Sequence, residues 1–260
     1  MELLALDFDG VISDSAPESW LVCLRTYARM RPGAAVEALR DTASSQPPAQ
    51  IRTDPAYRRF VEMMPLGNRA EDFGVVLWLL LAGRDARDQQ AFDAALAEAG
   101  DFFLSEFHER FYPTRAQLRA EDPARWASLL GPYPDMLDVL RRRAPDVRLA
   151  IATAKDRESV LHLLVDYGIE ELVPEDCLID KQAGRSKRAH LSRLQERFGV
   201  PFSQIVFVDD KVGHLDDVGG LGVPGVLAAW GYNGPREQRL ARERGHRVCT
   251  LEDFESAVFS

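Results

Sequence analysis

The stretch Val147-Arg148-Leu149-Ala150-Ile151-Ala152-Thr153 is a short aliphatic run that stops abruptly at a hydroxyl residue. A brief apolar run bounded by polar residues suits a strand buried on both faces, and a helical pattern follows it at about 157–167. The alternation recurs downstream, with strands expected at 204–208 and 223–228 and helices at about 187–198 and 236–245. Strand–helix alternation argues for parallel strands joined by right-handed crossovers, with helices on both faces. Upstream, Leu3–Leu6 reads as one more strand of the same sheet. The expected fold class is therefore α/β with a Rossmann-like parallel core.

Between 15 and 130 the period changes. Trp20, Val22, Cys23 and Tyr27, and later Phe92, Ala95, Leu96, Phe102, Phe103 and Phe107, recur at three- and four-residue spacing with little strand signal. An all-helical domain at 15–130 is thus expected, inserted after the first strand of a core made of 1–14 and 131–260. Ser13-Asp14-Ser15-Ala16-Pro17 and Gly131-Pro132-Tyr133-Pro134 are the expected hinges, rich in residues that interrupt regular structure. The stretch 41–54, with Ser44-Ser45 and Pro47-Pro48, reads as a polar loop inside the insert.

Composition bounds the function. The chain has 260 residues, 46% apolar and 28% charged, which excludes a disordered, collagen-like or coiled-coil protein. Its 41 acidic against 32 basic residues give a net charge of −9, which disfavours nucleic acid and anionic membranes as partners. Cys23, Cys177 and Cys249 show neither a disulfide framework nor zinc spacing, so a reducing compartment is expected. Met1-Glu2-Leu3-Leu4-Ala5-Leu6-Asp7 lacks the basic flank and long apolar run of a signal peptide, and a cytoplasmic location is expected. The longest apolar run, 75–82, falls far short of the ~20 residues of a membrane helix.

Three strands end in polar residues: Leu6 runs into Asp7, Ala152 into Thr153, and Val208 into Asp209-Asp210. In a parallel sheet the carboxyl ends share one edge, where open α/β folds bind ligands. Asp7-Phe8-Asp9-Gly10-Val11-Ile12-Ser13-Asp14-Ser15 resembles the first motif of the haloacid dehalogenase-like hydrolase superfamily in its phosphatase form. Leu149-Ala150-Ile151-Ala152-Thr153 resembles the second motif, and Lys187 followed by Ile205-Val206-Phe207-Val208-Asp209-Asp210 resembles the third and fourth.

The resemblance implies a Mg2+-dependent phosphatase acting on a small phosphorylated metabolite. Asp7 would be the nucleophile that forms an aspartyl-phosphate, and Asp9 the group that protonates the leaving oxygen and then deprotonates the attacking water. Thr153, the main-chain N–H of Ala154 and Lys187 would bind phosphate. Asp7, the carbonyl of Asp9, and Asp210 with Asp209 would hold the metal. The second Asp of the first motif separates phosphatases from the dehalogenase branch, whose halide leaves without a proton. Lys181 competes with Lys187 for the lysine role, and His214, where relatives often carry Asn or Asp, is read either as an orienting residue or as an ordinary helix residue. The insert resembles a cap, on which Arg58, Arg59, Arg69 and Arg115 are candidate readers of a second anionic group, and it shows no substrate signature of phosphoglycolate phosphatases, phosphonatases or sugar phosphomutases. A β-phosphoglucomutase-like phosphomutase, a carbon–halogen or carbon–phosphorus hydrolase, and a non-catalytic interaction protein are the other readings. A monomer or homodimer is expected.

Two glycine-containing stretches are set aside. Gly220-Leu221-Gly222-Val223-Pro224-Gly225 leads into a strand rather than out of one, so it is read as a turn, not a dinucleotide fingerprint. Gly184-Arg185-Ser186-Lys187 lacks the earlier glycine of a P-loop.

Overall fold

A computed structural model of the chain describes residues 1–67, 69–184 and 186–259; Arg185, within the stretch just set aside as a P-loop, lies outside them. The chain divides into two compact units, Met1–Asp14 with Pro132–Ser260, and Ser15–Gly131.

The first unit is built on six strands: β1 (Leu3–Leu6), β2 (Arg148–Ala152), β3 (Leu178–Ile179), β4 (Ile205–Asp209), β5 (Gly225–Ala228) and β6 (Arg247–Cys249). They form one sheet in the order β3-β2-β1-β4-β5-β6, and every neighbouring pair is parallel. The order runs outward from β1 in both directions, so right-handed crossovers place the connecting helices of the two halves on opposite faces. β1 lies between β2 and β4 and is fully buried, which is why Leu3-Leu4-Ala5-Leu6 carries no polar residue. Leu6 lies beside Ile151 of β2 and beside Val208 of β4. The next residues, Asp7, Ala152 and Asp209, therefore reach the carboxyl edge at one height, at the point where strand order reverses.

The strand expected at 223–228 begins only at Gly225, because Pro224 has no N–H to give a ladder. β3 and β6 are missing from the sequence reading because two or three edge residues are too few to show a period. Helices Pro134–Arg143, Arg157–Asp166, Lys187–Phe198, Val212–Gly219 and Pro235–Glu243 connect the strands. The glycine stretch at 220–225 is a turn entering β5, as read.

The second unit is helical, with helices at Ala16–Met30, Ala34–Ser45, Pro48–Ile51, Pro55–Met63, Ala70–Leu81, Gln89–Glu121 and Pro123–Ser128. The polar loop expected at 41–54 is a correction: 41–45 completes a helix, and Pro48 opens a single further turn that buries Ile51. Proline suits the first helical position, where its missing N–H is not needed, so Pro47-Pro48 marks a helix start there. The run at 75–82 lies almost wholly within Ala70–Leu81, with Val75, Val76 and Leu77 fully buried. In Gln89–Glu121, Phe103, Phe107 and Phe111 form a buried stripe at four-residue spacing, whereas Phe102, read as part of the apolar face, is exposed. The helix is interrupted at Gly100, where φ is +77°. No helix among the described residues is long and apolar enough to cross a membrane.

Candidate active site

Asp7 leaves the end of β1 and is nearly buried. Its Oδ1 accepts the Phe8 N–H at 2.7 Å and lies 2.8 Å from Lys187 Nζ. Lys187 also donates to the carbonyl of Ala152 at 2.7 Å and lies 3.3 Å from Asp209 Oδ2, so its three protons have three acceptors. Lys181, the competing lysine, is exposed on the 181–183 turn, and Lys187 alone of the two reaches Asp7. The local cause is legible: Ser186 Oγ accepts the Ala189 N–H and starts helix Lys187–Phe198, which places Lys187 in its first turn.

Thr153 closes β2. Its N–H donates to Ile179 O at 3.0 Å, and its Oγ accepts the Lys155 N–H at 3.1 Å, which leaves the hydroxyl proton to offer to an anion. Ala154 is exposed one residue before the turn into helix Arg157–Asp166.

Asp9 follows Asp7 by two residues and has a different lysine as its partner. Its Oδ1 and Oδ2 take the Lys155 ammonium at 3.0 and 3.4 Å. This pair was not anticipated; the signal was the clustering of all four lysines between the second and fourth motifs or directly beside them. Gly10 comes next with φ +82°, and a Cβ there would meet Asp210 Oδ2 at 2.6 Å. Only glycine allows this turn and this approach together.

Asp209 and Asp210 end β4 and play different parts. Both oxygens of the fully buried Asp209 lie 3.0 Å from His214 Nδ1; Oδ1 also accepts the Lys211 N–H, and Oδ2 meets Lys187. Burial pushes the Asp209 carboxyl up, but His214 and Lys187 outweigh it and hold the group well below the ordinary range. Burial likewise opposes charge on His214, yet the Asp209 carboxylate raises its pKa. His214 thus faces the site rather than standing as an ordinary helix residue. Asp210 has a different surrounding: burial, with Asp209 and Asp7 nearby, pushes it up to about 7 against the pull of Lys211. Burial also raises Asp7, against Lys187.

The segment after β5 completes this edge. Tyr232 N–H donates to Asp210 Oδ2 at 2.8 Å, Tyr232 Oη–H donates to Asp14 at 3.0 Å, and Trp230 Nε1–H donates to the Val11 carbonyl at 3.0 Å. Gly231 is needed because a Cβ would come within 2.4 Å of the Gly10 carbonyl oxygen and of Asp210 Cβ. Sequence reasoning passed over Trp230-Gly231-Tyr232, although aromatic and glycine residues just beyond a strand's carboxyl end are a usable signal.

The donor chemistry fits a hard divalent cation. Asp7 and Asp210 are buried carboxylates at the ends of neighbouring strands, and burial, with Asp209 and Asp7 nearby, raises the pKa of Asp210, a cost that a bound cation would offset. One atom each of Asp7, Asp209 and His214 also lie within 4.8 Å of one another. Asp209 is already committed to His214, Lys187 and the Lys211 N–H, which suits it to hold Lys187 in place.

In the helical unit, the expected arginine readers have local partners. Arg115 makes two hydrogen bonds, 2.7 and 2.8 Å, to the fully buried Glu18, and Arg59 pairs with Asp85. Arg58 donates to the Arg52 carbonyl, and Arg69 lies 3.9 Å from Glu71.

Residues 1–215 match the family model described as haloacid dehalogenase-like hydrolase. The chain is 24% identical over 238 residues to a phosphoglycolate phosphatase of Pseudomonas syringae pv. tomato, spanning 89% of this chain and 71% of that protein. A 48-residue segment, 18% of this chain and 27% of the relative, is 44% identical to human magnesium-dependent phosphatase 1. Among solved structures, a haloacid dehalogenase-like hydrolase of Streptococcus pneumoniae superposes with TM-score 0.65 at 12% identity, covering 100% of this chain and 98% of that one. A predicted phosphoglycolate phosphatase of Haemophilus somnus gives TM-score 0.63 at 18% identity over 99% and 97% of the two chains. The strand order, the carboxylates gathered where that order reverses and the match over residues 1–215 agree: the chain belongs to the haloacid dehalogenase-like hydrolase family.

Proposed function

We propose that this hydrolase is a Mg2+-dependent phosphatase that releases phosphate from a small metabolite through an aspartyl-phosphate on Asp7. The observation that carries the reading is the pairing of two carboxylates two residues apart with two different buried lysines, Asp7 with Lys187 and Asp9 with Lys155. One carboxylate is held for attack and the other is kept separate for proton transfer.

Asp7, Asp210 and the main-chain carbonyl of Asp9 are the residues that would hold Mg2+, with Asp209 beside them. The bound ion supplies charge neutralisation that lets a carboxylate approach a phosphoryl group. Asp7 attacks phosphorus as the ester P–O bond breaks, and Asp9 gives its proton to the leaving oxygen. Asp9 then takes a proton from water as the water oxygen bonds to phosphorus, the Asp7–phosphorus bond breaks and phosphate leaves. Positioned proton transfer of this kind contributes ~100- to 10,000-fold. Thr153 and the Ala154 N–H offer donors to the phosphoryl oxygens near a helix start, and Lys187 fixes a positive charge beside Asp7.

The helical unit is proposed as the specificity-bearing cap, in a cytoplasmic protein. Phosphoglycolate, which the Pseudomonas relative's name specifies, is the first substrate to try. The deciding experiment measures phosphate release from 4-nitrophenyl phosphate with Mg2+ and then with EDTA. Wild type should release phosphate only with Mg2+, and Asp7→Asn should lose the activity by at least about 1,000-fold. Release that survives EDTA or Asp7→Asn would sink the mechanism.

A further inference from the structure

We propose that Lys155 is a positioning residue that fixes the proton-transferring carboxyl of Asp9. Its Nζ reaches both oxygens of Asp9, at 3.0 and 3.4 Å. The Lys155 side chain is 2% exposed and that of Asp9 34% exposed. A buried ammonium therefore grips a partly exposed carboxylate from its inner side. Lysine is seldom buried without a partner, and Asp9 is the partner of this one among the described residues.

The stem of Lys155 is anchored as well. Its backbone N–H donates to Thr153 Oγ at 3.1 Å, which ties the residue to the end of β2. Asp9, by contrast, sits on the turn after β1, immediately before Gly10 with its positive φ. A short carboxylate on such a turn has rotamers facing both the site and solvent. Two charge-assisted contacts to one ammonium select a single arrangement. Each of the two carboxylates thus has its own buried lysine, and the two lysines are not interchangeable.

The inference rests on the reading of Asp9 as proton donor. Asp9 enters the first step as the neutral acid, gives its proton to the ester oxygen as the P–O bond breaks and is left as the carboxylate that Lys155 holds; in the second step it takes a proton from the attacking water and is the acid again. Lys155 keeps all its protons and acts through the Asp9 carboxyl rather than on the ester. Its effect must therefore follow the demand for proton transfer. An alkyl phosphate, whose alkoxide is a poor leaving group, needs the proton in the transition state; 4-nitrophenyl phosphate, whose phenolate leaves readily, needs it far less.

The experiment compares kcat and KM on phenethyl phosphate and 4-nitrophenyl phosphate for wild type, Lys155→Met, Lys155→Arg, Asp9→Asn and the Lys155→Met/Asp9→Asn double variant. Lys155→Met should lower kcat/KM, which reads the steps up to loss of the leaving group and not the later hydrolysis common to both esters, roughly 10- to 100-fold on the alkyl ester, the range for losing a hydrogen bond to a charged group, with less than about a threefold loss on the aryl ester. Lys155→Arg should recover part of the alkyl activity, and the double variant should be no slower than Asp9→Asn alone. Equal losses of kcat/KM on both esters, or an unchanged kcat/KM on the alkyl ester, would each overturn the assignment. If circular dichroism shows Lys155→Met unfolded, Lys155→Gln is judged by the same criteria. An Asp9→Asn variant without leaving-group preference would remove Asp9 as donor and the proposal with it; preference in Asp9→Asn but not in Lys155→Met would remove Lys155 alone.

Discussion

Asp210 shows how burial sets the behaviour of a single carboxyl. It retains its proton up to about pH 7 in the folded protein, whereas an unfolded Asp loses it near 3.9, an approximate reference value. The folded state therefore binds the extra proton between about pH 4 and 7, and this group's contribution to stability falls as pH rises through that window. In EDTA, thermal melts of wild type should show this decline, and Asp210→Asn should flatten it. A decline equally steep in the variant would refute the assignment. Asp209, one residue earlier, carries the opposite shift because His214 and Lys187 face it. No sequence rule separates these adjacent carboxyls, since the difference lies in which way each side chain points.

At the scale of elements, the site depends on where helices start and how turns close. Ser186 caps helix Lys187–Phe198 at one end, and Gly199, with φ +67°, closes the other. Gly199→Ala should cost about 1 kcal/mol of stability while leaving phosphate release per folded molecule nearly unchanged, read by chemical denaturation and activity together. Gly10→Ala should behave otherwise. Its Cβ would meet the Asp210 carboxylate at 2.6 Å in a backbone region closed to alanine, so activity should fall by at least about tenfold, as expected for misplacing a reacting group. Activity close to wild type in Gly10→Ala would show that Asp210 does not need that approach. β1, β2 and β4 were legible because buried central strands are continuous aliphatic runs; β3 and β6 were not, because short edge strands are defined by their partners rather than by their own pattern. The turn at Pro48 was missed for a related reason: a proline pair reads as a break until the burial of Ile51 shows which way the chain continues.

At the scale of the whole molecule, a cation that binds only the folded chain stabilises it by mass action. With Mg2+ at 100 times its dissociation constant the gain is about 2.7 kcal/mol, a rise of roughly 5 to 10 °C in Tm for a chain of this size. EDTA should reverse it, and Asp210→Asn should abolish it, both measured by differential scanning fluorimetry. A rise of equal size in the variant would place the ion elsewhere.

The sequence by itself determined the parallel α/β core, the helical insert and the order of Asp7, Asp9, Thr153, Lys187 and Asp209-Asp210 along the chain. These are local properties: hydrophobic period, strand ends and residue chemistry are written in consecutive positions. Only the tertiary structure decided that Lys187 rather than Lys181 reaches Asp7, that Lys155 grips Asp9, that Asp209 and Asp210 divide their roles, and that Trp230-Gly231-Tyr232 closes the same edge. Those pairings join residues up to 219 positions apart. They exist because parallel strands bring distant chain segments to one edge at one height, a register set by backbone ladders that no single segment contains.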